Sequence, residues 1–237
     1  MKVLAIDSSG VTASVAVADD NNIISEFTVN NRQTHSQTLL PMLDKAVQMS
    51  EIPLEDIDAI AVASGPGSFT GLRIGSATAK GLGLALKKPV IPVPTLDGLA
   101  YHAACYNGII CPLMDARRNQ VYTAAYHMDN GKLVNIIEQK AVNISDVLLE
   151  LEQAGREVLF LGDGVDVYKD VIQDKMGIKY LFAPCHMVKQ SAASVAALGI
   201  IYYGEGKYVS AAEYRPFYLR KPQAEREREE RLVKGKA

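Results

Sequence analysis

The 237-residue chain has no tryptophan, five phenylalanines and only three cysteines. Cys105, Cys111 and Cys185 are odd in number and include no C-x-x-C pair, which excludes a disulfide framework and points to a reduced, cytoplasmic thiol set. His35, His102, His127 and His186 are scattered without an H-x-x-x-H spacing, so no metal site is legible. There is no G-x-S-x-G elbow, and the neighbours Cys185 and His186 are too close in sequence to face each other productively. Charge of one sign is missing too, since 25 basic side chains against 27 acidic ones leave a net charge of -2. Such a balance argues against an autonomous RNA binder and leaves RNA contact open only within a larger complex. Long apolar runs are also absent. The N-terminus reaches Asp7 after four apolar residues, too few for a signal-peptide core, and no later run approaches a membrane span.

What is present reads as an ordinary globular chain, 48% apolar and 22% charged, long enough for one large domain or two modest ones. Residues 3–6, 13–18 and 23–29 read as a three-stranded meander, with Asp19-Asp20-Asn21-Asn22 as a turn. A helix follows over 36–49, with Leu39, Leu43, Ala46 and Val47 at helical spacing and Pro41 in its first turn or bending it. Residues 59–63 form a strand running into Gly65-Pro66-Gly67, then come a helix over 70–86, a strand over 90–93 and a helix over 96–104. The second half restarts with strands at 109–114, 121–127 and 133–142 and a helix at 145–154, capped by Ser145. A strand at 158–161 and helices at 165–175 and 191–203 complete it. The order β-β-β-α-β-α thus occurs twice, which predicts an α/β protein of two domains, each a mixed sheet with helices. The expected division is 1–103 plus 188–220 for the first domain, 104–187 for the second, and a charged tail over 221–237.

Three motifs invite a chemical reading. Gly65-x-Gly67-x-x-x-Gly71 lies between a strand and a helix, where glycine loops cradle phosphates. Its spacing departs from G-x-G-x-x-G, it is not the first β-α unit, and no Gly-Lys-Ser/Thr follows, so a nucleotide role is disfavoured. Within the helix, Gly71, Gly75, Ala79 and Gly83 recur every four residues and make one bare stripe. Each interior glycine costs about 1 kcal/mol relative to alanine, so something must gain from the exposed backbone. Spacing alone leaves two explanations open: close packing within the chain, or a seam with another chain. Asp7-Ser8-Ser9 at the end of the first strand and Gly162-Asp163-Gly164 after a later one could hold a phosphate, or simply make turns.

Five stretches together resemble the TsaB family, also called YeaZ. They are Ala5-Ile6-Asp7-Ser8-Ser9, His35-Ser36-Gln37-Thr38-Leu39-Leu40-Pro41, Ser64 to Arg73, Met114-Asp115-Ala116-Arg117-Arg118-Asn119-Gln120-Val121-Tyr122, and Phe217-Tyr218-Leu219-Arg220. The resemblance implies the actin-like ATPase (ASKHA) fold. It also implies a place beside TsaD, a catalytic paralogue, and TsaE, an ATPase. That set transfers a threonylcarbamoyl group to the adenosine next to the anticodon of ANN-decoding tRNAs, forming N6-threonylcarbamoyladenosine. The catalytic paralogue carries a His-x-Glu-Gly-His helix whose histidines hold a metal; the comparable segment here is Thr95-Leu96-Asp97-Gly98-Leu99, without either ligand. The resemblance therefore implies a non-catalytic subunit with no cofactor, meeting tRNA only through the complex. It also implies that the small-residue helix and the helix after His35 bundle with the same pair from TsaD or from a second copy. Expected interface residues are His35, Leu39, Leu43, Val47, Gly71, Arg73, Gly75 and Ala79, with Asp7, Ser8, Ser9, Gly162 and Gly164 as a vestigial nucleotide cleft. The alternative is an ATPase or phosphotransferase of the same fold, using those cleft residues on phosphates.

Overall fold

β1 (Lys2–Asp7), β2 (Ala13–Asp19) and β3 (Ile23–Val29) form an antiparallel meander, as their turn signals dictate. β4 (Ala59–Ala63) and β5 (Val90–Val93) continue that sheet in parallel on the far side of β1, giving the order β3-β2-β1-β4-β5. The second sheet repeats the pattern. β6 (Ile109–Asp115), β7 (Gln120–Asp129) and β8 (Lys132–Asn143) make the meander, and β9 (Val158–Leu161) and β10 (Tyr180–Phe182) extend it in parallel, in the order β10-β9-β6-β7-β8. This is the actin-like duplication, described here by a computed structural model covering residues 1–31 and 34–220. The charged tail expected over 221–237 lies outside the described residues.

The apolar pattern of each strand decides which helix covers which face. Leu4, Ile6, Val15, Val17, Ile60 and Val62 point to one side of the first sheet, where α1 (His35–Ser50) and α2 (Phe69–Leu86) lie next to each other. Val3, Ala5, Ala16, Ala18, Ala59 and Ala61 point to the other side, where α6 (Ala192–Gly204) returns after the second half. The small alanines there let α6 sit close to the sheet. α3 (Thr95–Tyr101) covers the inner face of the second sheet, and α4 (Ile144–Ala154) and α5 (Gly164–Lys175) cover its outer face. The layers therefore run α1/α2, sheet, α6 and α3, sheet, α4/α5.

Several local expectations shift. Pro41 lies in the second turn of α1, since the helix starts at His35; its missing N–H leaves the Gln37 carbonyl without its helical partner at an exposed site. The cap of α4 is Asn143, whose side chain accepts from the Ser145 N–H at 3.1 Å, so Ser145 is the capped residue and not the cap. β10 is three residues long and carries no period-2 signal. Past α6 the chain pairs Val209 with Val90 and donates Phe217 N–H to the Ser64 carbonyl at 2.7 Å, lacing the last segment over the first sheet's edge.

Candidate functional site

Two surfaces gather the residues singled out in the sequence: the helix pair α1/α2 and the cleft between the sheets. Ser68 caps α2, accepting from Gly71 N–H at 3.3 Å, and its own N–H donates to the Ser9 carbonyl at 2.7 Å. The start of the helix is thereby fastened to the β1–β2 turn. That fastening explains the small-residue stripe. A Cβ on Gly71 would lie 2.0 Å from the Ser8 carbonyl oxygen, and one on Gly75 2.4 Å from Ser8 Oγ. Ala79 is fully buried, and a Cβ on Gly83 would lie 2.7 Å from that of Ala211. Ser8 Oγ donates to the Gly71 carbonyl at 2.9 Å and closes the contact.

Gly71, Gly75 and Ala79, expected at a partner seam, thus pack against their own chain. Leu39 and Leu43, expected at the same seam, are 1% and 5% exposed in the core under α1. A buried leucine contributes roughly 1.5–3 kcal/mol to folding, which turning it outward would forfeit. Val47 is half-buried against the same core, and His35 is half-buried with Nε2 donating to the Gly10 carbonyl at 2.8 Å. Of the eight residues only Arg73 is exposed, its guanidinium 4.0 Å above the Phe69 ring. The face of α2 turned to solvent carries Ala77, Gly81 and Leu84, and α1 exposes Leu40 and Met49 on either side of its buried stripe. The sequence held a signal for it, a second pair of small residues four apart, two positions beyond the first stripe.

The cleft, about 750 Å³, is bordered by the β1–β2 turn, the starts of α1 and α2, the β6–β7 turn and residues 217–220. At the first turn Asp7 is 2% exposed, and Oδ1 accepts from Ser9 N–H at 2.9 Å and Ser9 Oγ at 2.6 Å. Burial pushes this carboxyl up to about 6, against the pull of the Ser9 bonds and of His35. Across the cleft, burial also raises Asp163, which accepts from Asp115 N–H at 3.3 Å. Of the expected cleft residues Asp7, Ser8, Ser9, Gly162 and Gly164, only Ser9 lines this space, and the others are packed behind it rather than forming an open cradle. Gly162 adopts φ +99°, and a Cβ there would lie 2.2 Å from the Leu113 carbonyl oxygen. Its N–H donates to the Val188 carbonyl at 2.6 Å.

α3 holds a cluster that sequence reasoning missed. Thr95 is fully buried, with Oγ1 accepting from Gly65 N–H at 3.2 Å, and Leu99 is 2% exposed among Leu96, Met114 and Leu161. Between them Asp97 accepts from Tyr126 OH at 2.7 Å, Gln139 Nε2 at 2.8 Å and Tyr202 OH at 2.6 Å. One carboxylate so ties α3 to β7, β8 and α6. Burial, then the carboxylate's charge, raises both tyrosines and keeps their phenols protonated as donors.

A family model described as TsaD, tRNA N6-adenosine threonylcarbamoyltransferase, matches residues 22–228. The tRNA threonylcarbamoyladenosine biosynthesis protein TsaB of Bacillus subtilis is 34% identical, over 95% of this chain and 96% of that protein. The protein of the same name from Escherichia coli is 32% identical, over 93% and 95%. Among solved structures, YeaZ from Pseudomonas aeruginosa superposes with a TM-score of 0.79 at 26% identity, over 92% of this chain and 99% of that one. A second structure, described as an uncharacterized protein with similarity to peptidase YEAZ from Pseudomonas aeruginosa, gives a TM-score of 0.81 at 26% identity, over 92% and 99%. With full-length sequence similarity and the duplicated fold in agreement, the chain belongs to the TsaB family.

Proposed function

We propose that this chain is a non-catalytic subunit of tRNA threonylcarbamoyladenosine biosynthesis that binds and activates a TsaD-type paralogue through the outward face of α1 and α2. The observation that carries this reading is Gly81. Every glycine of the inner stripe is accounted for by a close neighbour, whereas around Gly81 no atom lies within 4 Å of a would-be Cβ. A bare helix backbone flanked on the same face by Ala77 and exposed Leu84 is the surface a second helix approaches most closely. Both helices are ordered before binding, which limits the entropic cost of association. The absence of catalysis is read from Thr95 and Leu99. The positions comparable to the paralogue's metal ligands are here a backbone-bonded hydroxyl and a core leucine. A TsaE-type ATPase completes the proposed set, with tRNA reached through the complex; a second copy of this chain competes for the same face.

The ATPase alternative is disfavoured by the loop at Gly162, which is closed onto Leu113 and whose amide is already taken. A peptidase reading, prompted by the name of one structural relative, finds little here. Ser8 Oγ is bonded to Gly71, Ser9 Oγ to Asp7, and burial pushes the Cys111 thiol up to about 12. The proposal is tested by Ala77→Arg, a change at an exposed site that leaves folding within about 0.5 kcal/mol. Co-purification with the TsaD-type partner is expected to be lost, and with it modification by the reconstituted set. Wild-type stoichiometry in the variant would show that this face is not the seam.

A further inference from the structure

The rim of the cleft has a chemistry that the proposed pairing does not use. Arg117, Arg118 and Asn119 are consecutive non-glycine residues in the left-handed region, at φ 61°, 55° and 58°. Each such residue costs roughly 1 kcal/mol, so the turn holds an unfavourable backbone that displays exposed side chains at the cleft mouth. It is braced from below: Arg117 N–H donates to Asp115 Oδ1 at 2.8 Å, and Arg220 Nη1 donates to the Ala116 carbonyl at 3.1 Å. Arg220 thereby brings a second guanidinium to the same cleft, 5.8 Å from the centre of the Tyr122 ring. In the same lining Tyr218, 37% exposed, packs 5.0 Å from the Phe69 ring. Two guanidinium groups, Arg117 and Arg220, and the rings of Tyr122, Tyr218 and Phe69 therefore line one space of about 750 Å³, in a chain whose net charge is -2.

That pairing of groups fits a nucleotide with its base unstacked from its neighbours. Arginines take phosphate oxygens, and aromatic rings take the base by its face, whatever its identity. The cleft lining also carries the acids Asp115 and Asp163, which repel phosphate and leave Arg117 and Arg220 as its place. We infer that this rim is an RNA-contacting surface that receives an unpaired nucleotide of the tRNA, phosphate on Arg117 and Arg220 and base on Tyr218. The inference rests on the proposed place in tRNA modification, but uses a different face from the α1/α2 seam.

The test uses the complex reconstituted with the TsaD-type partner, in which Arg117→Glu with Arg220→Glu, and separately Tyr218→Ala, are compared with wild type. Thermal melts confirm folding, and Arg117→Ala substitutes if the double variant does not fold. tRNA affinity is measured by filter binding between about 50 and 200 mM salt, a range over which phosphate contacts change affinity strongly. The arginine variants are expected to stay in the complex, lose about fivefold or more in affinity at low salt, and show a salt slope shallower by about 1–2. Tyr218→Ala is expected to weaken binding with the slope unchanged. An intact complex with unaltered affinity and slope overturns the inference, and so does loss of the partner from the rim variants, which would assign the rim to protein contact. Should the wild-type chain fail to pair at all, the proposed function fails separately. The rim is then read by photo-crosslinking the free chain to tRNA carrying 4-thiouridine at unpaired positions. Crosslinks within 117–122 or 217–220 sustain the inference, and their absence overturns it.

Discussion

Asp7 is a carboxylate sealed behind the β1–β2 turn with Ser9 as its one hydrogen-bond donor among the described residues, and burial raises it from 3.8 to about 6. Between those values the native chain keeps a proton that the unfolded chain releases. The side chain's contribution to stability is thus full below about pH 4, declines as pH rises through about 6, and stays constant above. Asp7→Asn keeps an oxygen for Ser9 and cannot ionise. The variant is expected to gain on wild type between pH 4.5 and 7.5 by about 2 kcal/mol, at 1.36 kcal/mol per pKa unit. Urea unfolding at the two pH values measures it, and a difference independent of pH would refute the assignment. The sequence showed Asp7-Ser8-Ser9 as a polar turn, because the hydrogen bonds that make it are local. It could not show that Ser8 Oγ reaches the Gly71 carbonyl, a partner 63 positions away.

Along α2 two glycines with the same intrinsic helix penalty sit in opposite surroundings, which separates propensity from packing. Gly81→Ala is expected to stabilise the isolated chain by about 1 kcal/mol, since the new methyl meets no atom within 4 Å. Gly75→Ala is expected to destabilise it by about 1–3 kcal/mol, because the methyl would lie 2.4 Å from Ser8 Oγ and force the β1–β2 turn to shift. Denaturant midpoints of the two variants should move in opposite directions; movement in one direction would mean that the helix is seated differently. At this scale, periodicity exposed α2 and its stripe but not the stripe's orientation. A spacing of four defines a face of a helix, and only the location of the neighbouring sheet says which way that face looks. Of the residues that spacing assigned to a seam, Arg73 is the one whose side chain is exposed. Leu39 and Leu43 were misassigned because apolar residues at helical spacing serve a core and an interface equally well.

In the whole molecule the two sheets share one topology, each a meander extended in parallel, and this was legible because turn residues and apolar runs recur in the same order in each half. The ties between the halves were not legible, since each depends on residues far apart in sequence. Asp97 is the strongest of them: α3 offers one carboxylate to Tyr126 and Gln139 of the second sheet and to Tyr202 of α6. Asp97→Ala leaves three donors without that acceptor, and with charge-assisted bonds worth about 1.5–3 kcal/mol each, a loss of at least about 3 kcal/mol is expected. Tyr202→Phe combined with Asp97→Ala is expected to cost less than the sum of the single changes, with a coupling of about 1–2 kcal/mol. Hydrogen exchange should quicken in α3, β8 and α6 together, because the network joins them, and additive stability losses with exchange confined to α3 would reduce Asp97 to a local helix contact. If the three elements do loosen as one, the cleft width is held by this carboxylate before any partner arrives. The Asp97 variant would then bind tRNA or partner more weakly without losing a single residue that touches either, since it must pay in ordering what wild type has already fixed.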